Sequence, residues 1–111
     1  MADVIITKTF EPVFKRLSKR HRSLNKDLAK LIEQLRENPL LGTSLGHNMR
    51  KIRLPISSKQ RGKSGGARVI TYVVTIEVAS KVLLLTIYDK ADRSSISERD
   101  LYDLLKANHL S

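Results

Sequence analysis

The sequence contains no cysteine, which excludes a disulfide scaffold, a thiolate nucleophile and a zinc site built on cysteine. Its three histidines, His21, His47 and His109, are scattered rather than set at ligand spacing. The pattern therefore offers no metal centre and no ready two-histidine ribonuclease site. Long apolar runs are also missing: stretches such as Val82 to Leu85 are far too short to span a bilayer. Met1 to Thr9 has no basic flank ahead of an apolar stretch of signal-peptide length. Together these absences lead us to expect a cytoplasmic protein with no membrane association.

Acidic residues are the other shortage. None occurs between Glu37 and Glu77, a stretch that carries Arg50, Lys51, Arg53, Lys59, Arg61, Lys63 and Arg68. A second basic cluster, Lys15, Arg16, Lys19, Arg20, Arg22 and Lys26, lies near the N-terminus, and most remaining acids fall near the C-terminus. Over 111 residues, 21 Lys and Arg against 11 Asp and Glu leave a formal net charge of +10. Charge segregated in this way attracts a polyanion, nucleic acid first and an acidic protein partner next. The length allows one domain, residues 1–111, and the 41% hydrophobic content is that of a globular protein.

Val4 to Ile6 reads as a short strand, with Thr7 and Thr9 leading to a helix N-cap. Phe10, Val13, Phe14 and Leu17 then share one helical face, and Pro12 is tolerated in the first turn. Ser23 can cap a second helix whose stripe of Leu24, Leu28, Leu31, Ile32 and Leu35 is stopped by Asn38 and Pro39. Leu40 to Asn48, with Gly42 and Gly46, reads as a loop. Met49 to Leu54 alternates as a strand, placing Lys51 and Arg53 on one face and Arg50 on the other. Ser57 to Ala67 is a polar, glycine-bearing loop, followed by strands at Arg68 to Val78 and Val82 to Tyr88 with a turn near Ala79 to Lys81. Ser95 or Ser97 can cap a final helix carrying Leu101, Leu104 and Leu105. The order strand, helix, helix, three strands, helix predicts an α+β domain: a small twisted antiparallel sheet with an N-terminal helical hairpin and a C-terminal helix.

Gly62, Lys63 and Ser64 suggest a phosphate loop, but that motif needs a glycine where Ser57 stands and a helix where a strand follows. What remains is lysine and arginine on a sheet. Clustered cations bind phosphate and, where like charges crowd a lysine, exchange protons near neutrality. The residues alone favour RNA or DNA binding over catalysis.

The string Lys51-Ile52-Arg53, then Gly62-Lys63-Ser64-Gly65-Gly66-Ala67-Arg68-Val69-Ile70 with Tyr72, then Leu85 to Lys90 resembles the RelE/HigB branch of toxins from type II toxin–antitoxin modules. The element order agrees with the family over nearly the whole chain. The resemblance implies a ribosome-dependent endoribonuclease that cuts messenger RNA in the decoding site without metal or small-molecule cofactor. It implies partners in the 70S ribosome, its mRNA and a cognate antitoxin, and a reaction in which a ribose 2′-hydroxyl attacks the adjacent phosphate. Carried over by position, Lys51 is the candidate base, Arg53 and Arg68 support the phosphate, and Lys90 stands near the leaving oxygen. Arg16, Lys19, Arg50, Lys59, Arg61, Lys63 and Tyr88 are candidate RNA contacts. The chain departs from several relatives in having no aromatic residue between Ala91 and Ser97 to stack on a base. Two other readings compete: a ParE-like inhibitor of DNA gyrase, and a non-catalytic RNA-binding protein.

Overall fold

Eight elements follow one another: β1 (Asp3–Ile6), α1 (Glu11–Arg20), α2 (Leu24–Glu37), β2 (Thr43–Gly46), β3 (Met49–Leu54), β4 (Ala67–Ile76), β5 (Ala79–Asp89) and α3 (Glu98–Ala107). The computed structural model describes residues 1–59 and 65–111. The strands form one sheet in the order β1-β5-β4-β3-β2. Its two faces carry separate apolar clusters, as alternation in a strand dictates. Ile52, Leu54, Ala67, Val69, Val82, Leu84 and Ile87 pack with Phe10, Leu17, Leu24, Leu28, Leu31 and Leu35 from the helical hairpin. Met49, Ile70 and Leu85 pack with Leu101 and Leu105 of α3. The hairpin and the C-terminal helix thus cover opposite faces.

The three strands from β3 to β5 form the expected antiparallel meander. Two features of the strand pairing differ from the sequence expectation. The stretch read as a loop from Leu40 to Asn48 contains β2, which pairs with β3 through a bulge between Ser44 and Gly46. A polar, mostly exposed edge strand needs no apolar alternation, so the pattern gives it no signal. β1 pairs with β5 in parallel, Asp3 opposite Lys81 through Ile6 opposite Leu84, so the sheet is mixed. Side-chain alternation sets faces and leaves the direction of pairing open.

The helix starts show what the caps do. Thr7 and Thr9 do not cap α1: their hydroxyls donate to the Leu84 and Leu85 carbonyls, each at 2.7 Å, and stitch the end of β1 to β5. Phe10 occupies the cap position without a side-chain bond. Ser23 occupies the α2 cap position, but its hydroxyl donates to the Asp27 carboxylate at 2.7 Å and also meets Ser58. Ser97 caps α3 as expected, accepting from the Asp100 N–H at 3.0 Å. The β4–β5 turn falls at Glu77 and Val78, earlier than expected, with Glu77 taking the left-handed backbone the tight connection needs.

Both described ends of the Ser57 to Ala67 loop are fastened. On the leading side the Asp27 carboxylate accepts the Ser57 N–H at 3.0 Å and the Ser57 hydroxyl at 2.6 Å. On the trailing side the Lys90 N–H donates to the Gly66 carbonyl at 3.0 Å, prolonging the β4–β5 ladder. Gly66 has φ +66°, and a Cβ placed there would lie 2.8 Å from the Leu54 carbonyl oxygen. Both the left-handed backbone and this contact oppose a side chain. Gly66→Ala should lower stability by about 1–3 kcal/mol, read as a lower urea midpoint at unchanged slope.

Candidate active site

A β-bulge sets the site's geometry. Ile70 faces Thr86 but Thr71 faces Leu84, so Leu85 is an extra residue in β5. Without it, alternation from Val82 and Leu84 would turn Tyr88 toward the helical hairpin. With it, Ile87 enters the hairpin cluster, while Tyr88 lies beside Arg68 on the α3 face. Register then aligns Arg53, Arg68 and Tyr88 across β3, β4 and β5. Lys51 lies on the same face as Arg53, two residues away and thus roughly 7 Å along β3. Three of the four proposed catalytic residues, Lys51, Arg53 and Arg68, accordingly share one surface with Tyr88.

Arg68 is the unusual member. It is 6% exposed, and its Nη1 donates to the Gly65 and Ala67 carbonyls at 2.9 and 3.2 Å. Among the described residues it pairs with no carboxylate, and Arg53 faces it across the ladder. A buried guanidinium opposite a second cation raises the energy of the empty site and favours an anion there. The backbone carbonyls aim it, leaving its remaining donors for phosphate-type oxygens.

Tyr88 is also buried, and its hydroxyl has no partner among the described residues. Burial pushes its ionisation upward, against the opposing pull of the Arg68 and Arg93 charges. The Arg93 guanidinium lies 5.3 Å from the Tyr88 ring centre, over its face. The sequence reading had no role for Arg93. It is held by Asp100, at 2.8 Å, and by the Ser95 carbonyl.

The other expected contacts divide. Arg16 and Lys19, exposed on α1, join Tyr88 and Arg93 around a cavity of about 810 Å³ between α1 and α3. Asp92, Asp100 and Asp103 also line it, so the charge there is mixed. Lys90 is partly exposed immediately after β5, its backbone tied to Gly66. Arg50 lies on the opposite strand face, where Nη2 donates to the Gly42 carbonyl at 3.0 Å. Lys59 is engaged with Asp89 at 3.0 Å. Arg61 and Lys63 lie outside the described residues. His47 sits in the β2–β3 turn, four residues before Lys51.

Asp89 had no role in the sequence reading, yet it is the most heavily bonded side chain near the site. Only 1% exposed, its carboxylate receives Arg20 at 3.0 Å, His21 Nε2 at 2.8 Å, Lys59 at 3.0 Å and the Ala91 N–H at 2.9 Å. Burial alone would raise its pKa, but the Ala91 N–H, Lys59 and His21 outweigh that and hold it at about 2. A lone acid closing a strand among many cations is the available sequence signal.

Among the described residues, the sheet thus gathers cations around a buried arginine that pairs with no carboxylate, an arrangement suited to binding the oxygens of a phosphate group. The chain belongs to the RelE toxin family: residues 6–110 match the family model described as "RelE toxin of RelE / RelB toxin-antitoxin system". The fold is similar to that of an E. coli RelE toxin double mutant solved in the free state, with a TM-score of 0.61 at 17% identity. That match covers 96% of this chain and 98% of the other. A comparison with curated proteins found no match.

The lowered Asp89 pKa fixes the sign of an acid effect. Its carboxylate stabilises the fold above its ordinary value of 3.8, and that contribution is lost as pH falls toward about 2. Its size is about 2 kcal/mol. Asp89→Asn should therefore be less stable than wild type at pH 6, with the gap narrowing between pH 4 and pH 2. Urea unfolding across that range checks this.

Proposed function

We propose that this protein is a ribosome-dependent endoribonuclease toxin that cuts messenger RNA and so stops translation. The observation that carries the reading is Arg68, buried opposite Arg53 without an acidic partner among the described residues, on the face that also bears Lys51. An RNA phosphate seated over Arg53 and Arg68 offsets one of their two charges, and the second negative charge that develops on the phosphorane offsets the other. Membership of a toxin family adds the biological setting.

The chemistry follows from the residue types. Lys51 takes the proton from a ribose 2′-hydroxyl. The oxygen attacks the adjacent phosphorus, forming the 2′-O–P bond. Arg53 and Arg68 stabilise the negative charge that builds on the phosphorane oxygens. The P–O5′ bond then breaks and Lys90 supplies the proton to the leaving oxygen. The products are a 2′,3′-cyclic phosphate and a 5′-hydroxyl, so atoms and protons balance with no step through a metal ion. Arg16 and Lys19 extend the cationic surface along α1 toward ribosomal RNA.

The family setting implies an antitoxin partner. An acidic, partly disordered antitoxin segment laid over this basic surface would neutralise the charge and cover Arg68.

Purified protein added to ribosomes translating a defined message should cut it within the A-site codon. Arg68→Ala should slow cutting by about 10²–10³-fold while leaving the unfolding midpoint near wild type. An intact message with folded, active ribosomes overturns the reading. Growth arrest that survives both Lys51→Ala and Arg68→Ala would point instead to a protein target such as gyrase.

A further inference from the structure

The site needs more than its cations, because those cations repel one another. Three contacts bring Lys59, Gly65 and Gly66, which flank residues 60–64, to the end of β5. Lys59, on the leading side, places its ammonium on Asp89. Gly65, on the trailing side, lies beneath that ammonium: a Cβ on Gly65 would be 3.3 Å from Lys59 Nζ. Gly66 accepts the backbone N–H of Lys90, the residue after Asp89.

Asp89 also lies opposite Ala67 in the ladder, so it is one residue from Arg68 across the strands and one residue from both Tyr88 and Lys90 along its own. Its side chain points to the hairpin face, with Arg20 and His21, while Arg68 and Tyr88 lie on the α3 face. Asp89 therefore lies behind the phosphate position rather than in contact with it. Nothing assigned so far uses this carboxylate in function.

We propose that the Asp89–Lys59 pair is a positioning device: it clamps the loop's two ends to β5 and so fixes Arg68 and Lys90 relative to each other. The proposal rests on the endoribonuclease reading. Lys59 thus serves the site from behind as a clamp, rather than as an RNA contact. The pairing also keeps the Lys59 charge from repelling the Arg53–Arg68 pair, since Asp89 balances it locally.

Lys59 gives the cleaner test because it is 28% exposed and belongs to neither apolar cluster. In single-turnover cutting of a ribosome-bound message, Lys59→Gln should lower the saturated rate about 10–100-fold, with half-saturation changed less than about threefold. The unfolding midpoint should fall less than in Asp89→Asn, since Arg20, His21 and the Ala91 N–H still hold the carboxylate, and Lys59→Arg should restore most of the rate. Asp89→Asn should reproduce the defect, and the double substitution should be no slower than the worse single one. Independently of activity, amide exchange at Lys90 should accelerate in Lys59→Gln, because its bond to Gly66 loosens. A wild-type rate in Lys59→Gln, a loss confined to half-saturation, multiplying defects, or unchanged exchange at Lys90 would each overturn the proposal. An uncut message with wild-type protein would instead overturn the endoribonuclease reading, while the exchange measurement still judges the clamp.

Discussion

Two arginines facing each other on a sheet, with lysines on either side, are a structure under electrostatic load. Charges about 4 Å apart interact by about 4 kcal/mol in the partly screened setting of a protein surface. The counterweight within the fold is the carboxylate of Asp89, buried behind the row and engaged by Arg20, His21 and Lys59. Desolvating a carboxylate is costly. Here the attraction wins, since the group is held at about 2 rather than driven upward. The hairpin joint, the loop and the end of β5 meet at this one group, and their relative placement depends on it.

The bulge at Leu85 makes that arrangement compatible with a site. One extra residue shifts the phase of β5, so that Tyr88 joins Arg68 on one face while Asp89 turns to the other. Neighbouring residues of one strand thereby do opposite work. Tyr88 lines the open side of the sheet, beneath Arg93, and Asp89 binds the closed side. Among the described residues Arg53 and Arg68 pair with no carboxylate, and the acid that steadies their row is reached through the backbone.

Much of this was legible in the residues. The helical hairpin was, because Phe10, Val13, Phe14 and Leu17, then Leu24, Leu28, Leu31 and Leu35, repeat at the helical period and are the residues that meet the sheet. So was β3, whose alternation separates Lys51 and Arg53 from Arg50. The opposition of Arg53 and Arg68 was not, since it needs register across a loop. Nor was the bulge: Val82 to Leu85 is apolar on both faces, so nothing in those residues marks the change of phase at Leu85. The partners of Asp89 are as distant in sequence as Arg20 and as near as Lys59, and no local pattern joins them. The β2 edge was hidden for the opposite reason, having too little apolar character to show.

The parallel pairing of β1 with β5 has a consequence for how the protein comes into being. Asp3 to Ile6 pair with Lys81 to Leu84, so β1 cannot join the sheet until β5 is present. The row of Arg53, Arg68 and Tyr88 likewise spans β3 to β5. Contacts of such long sequence separation form late, since loop closure precedes any gain from them. A ribosome making this chain holds only separated cations until β5 has emerged. The cationic row therefore exists only once all three strands have paired, and a chain caught before that point carries the same charges without the surface that concentrates them.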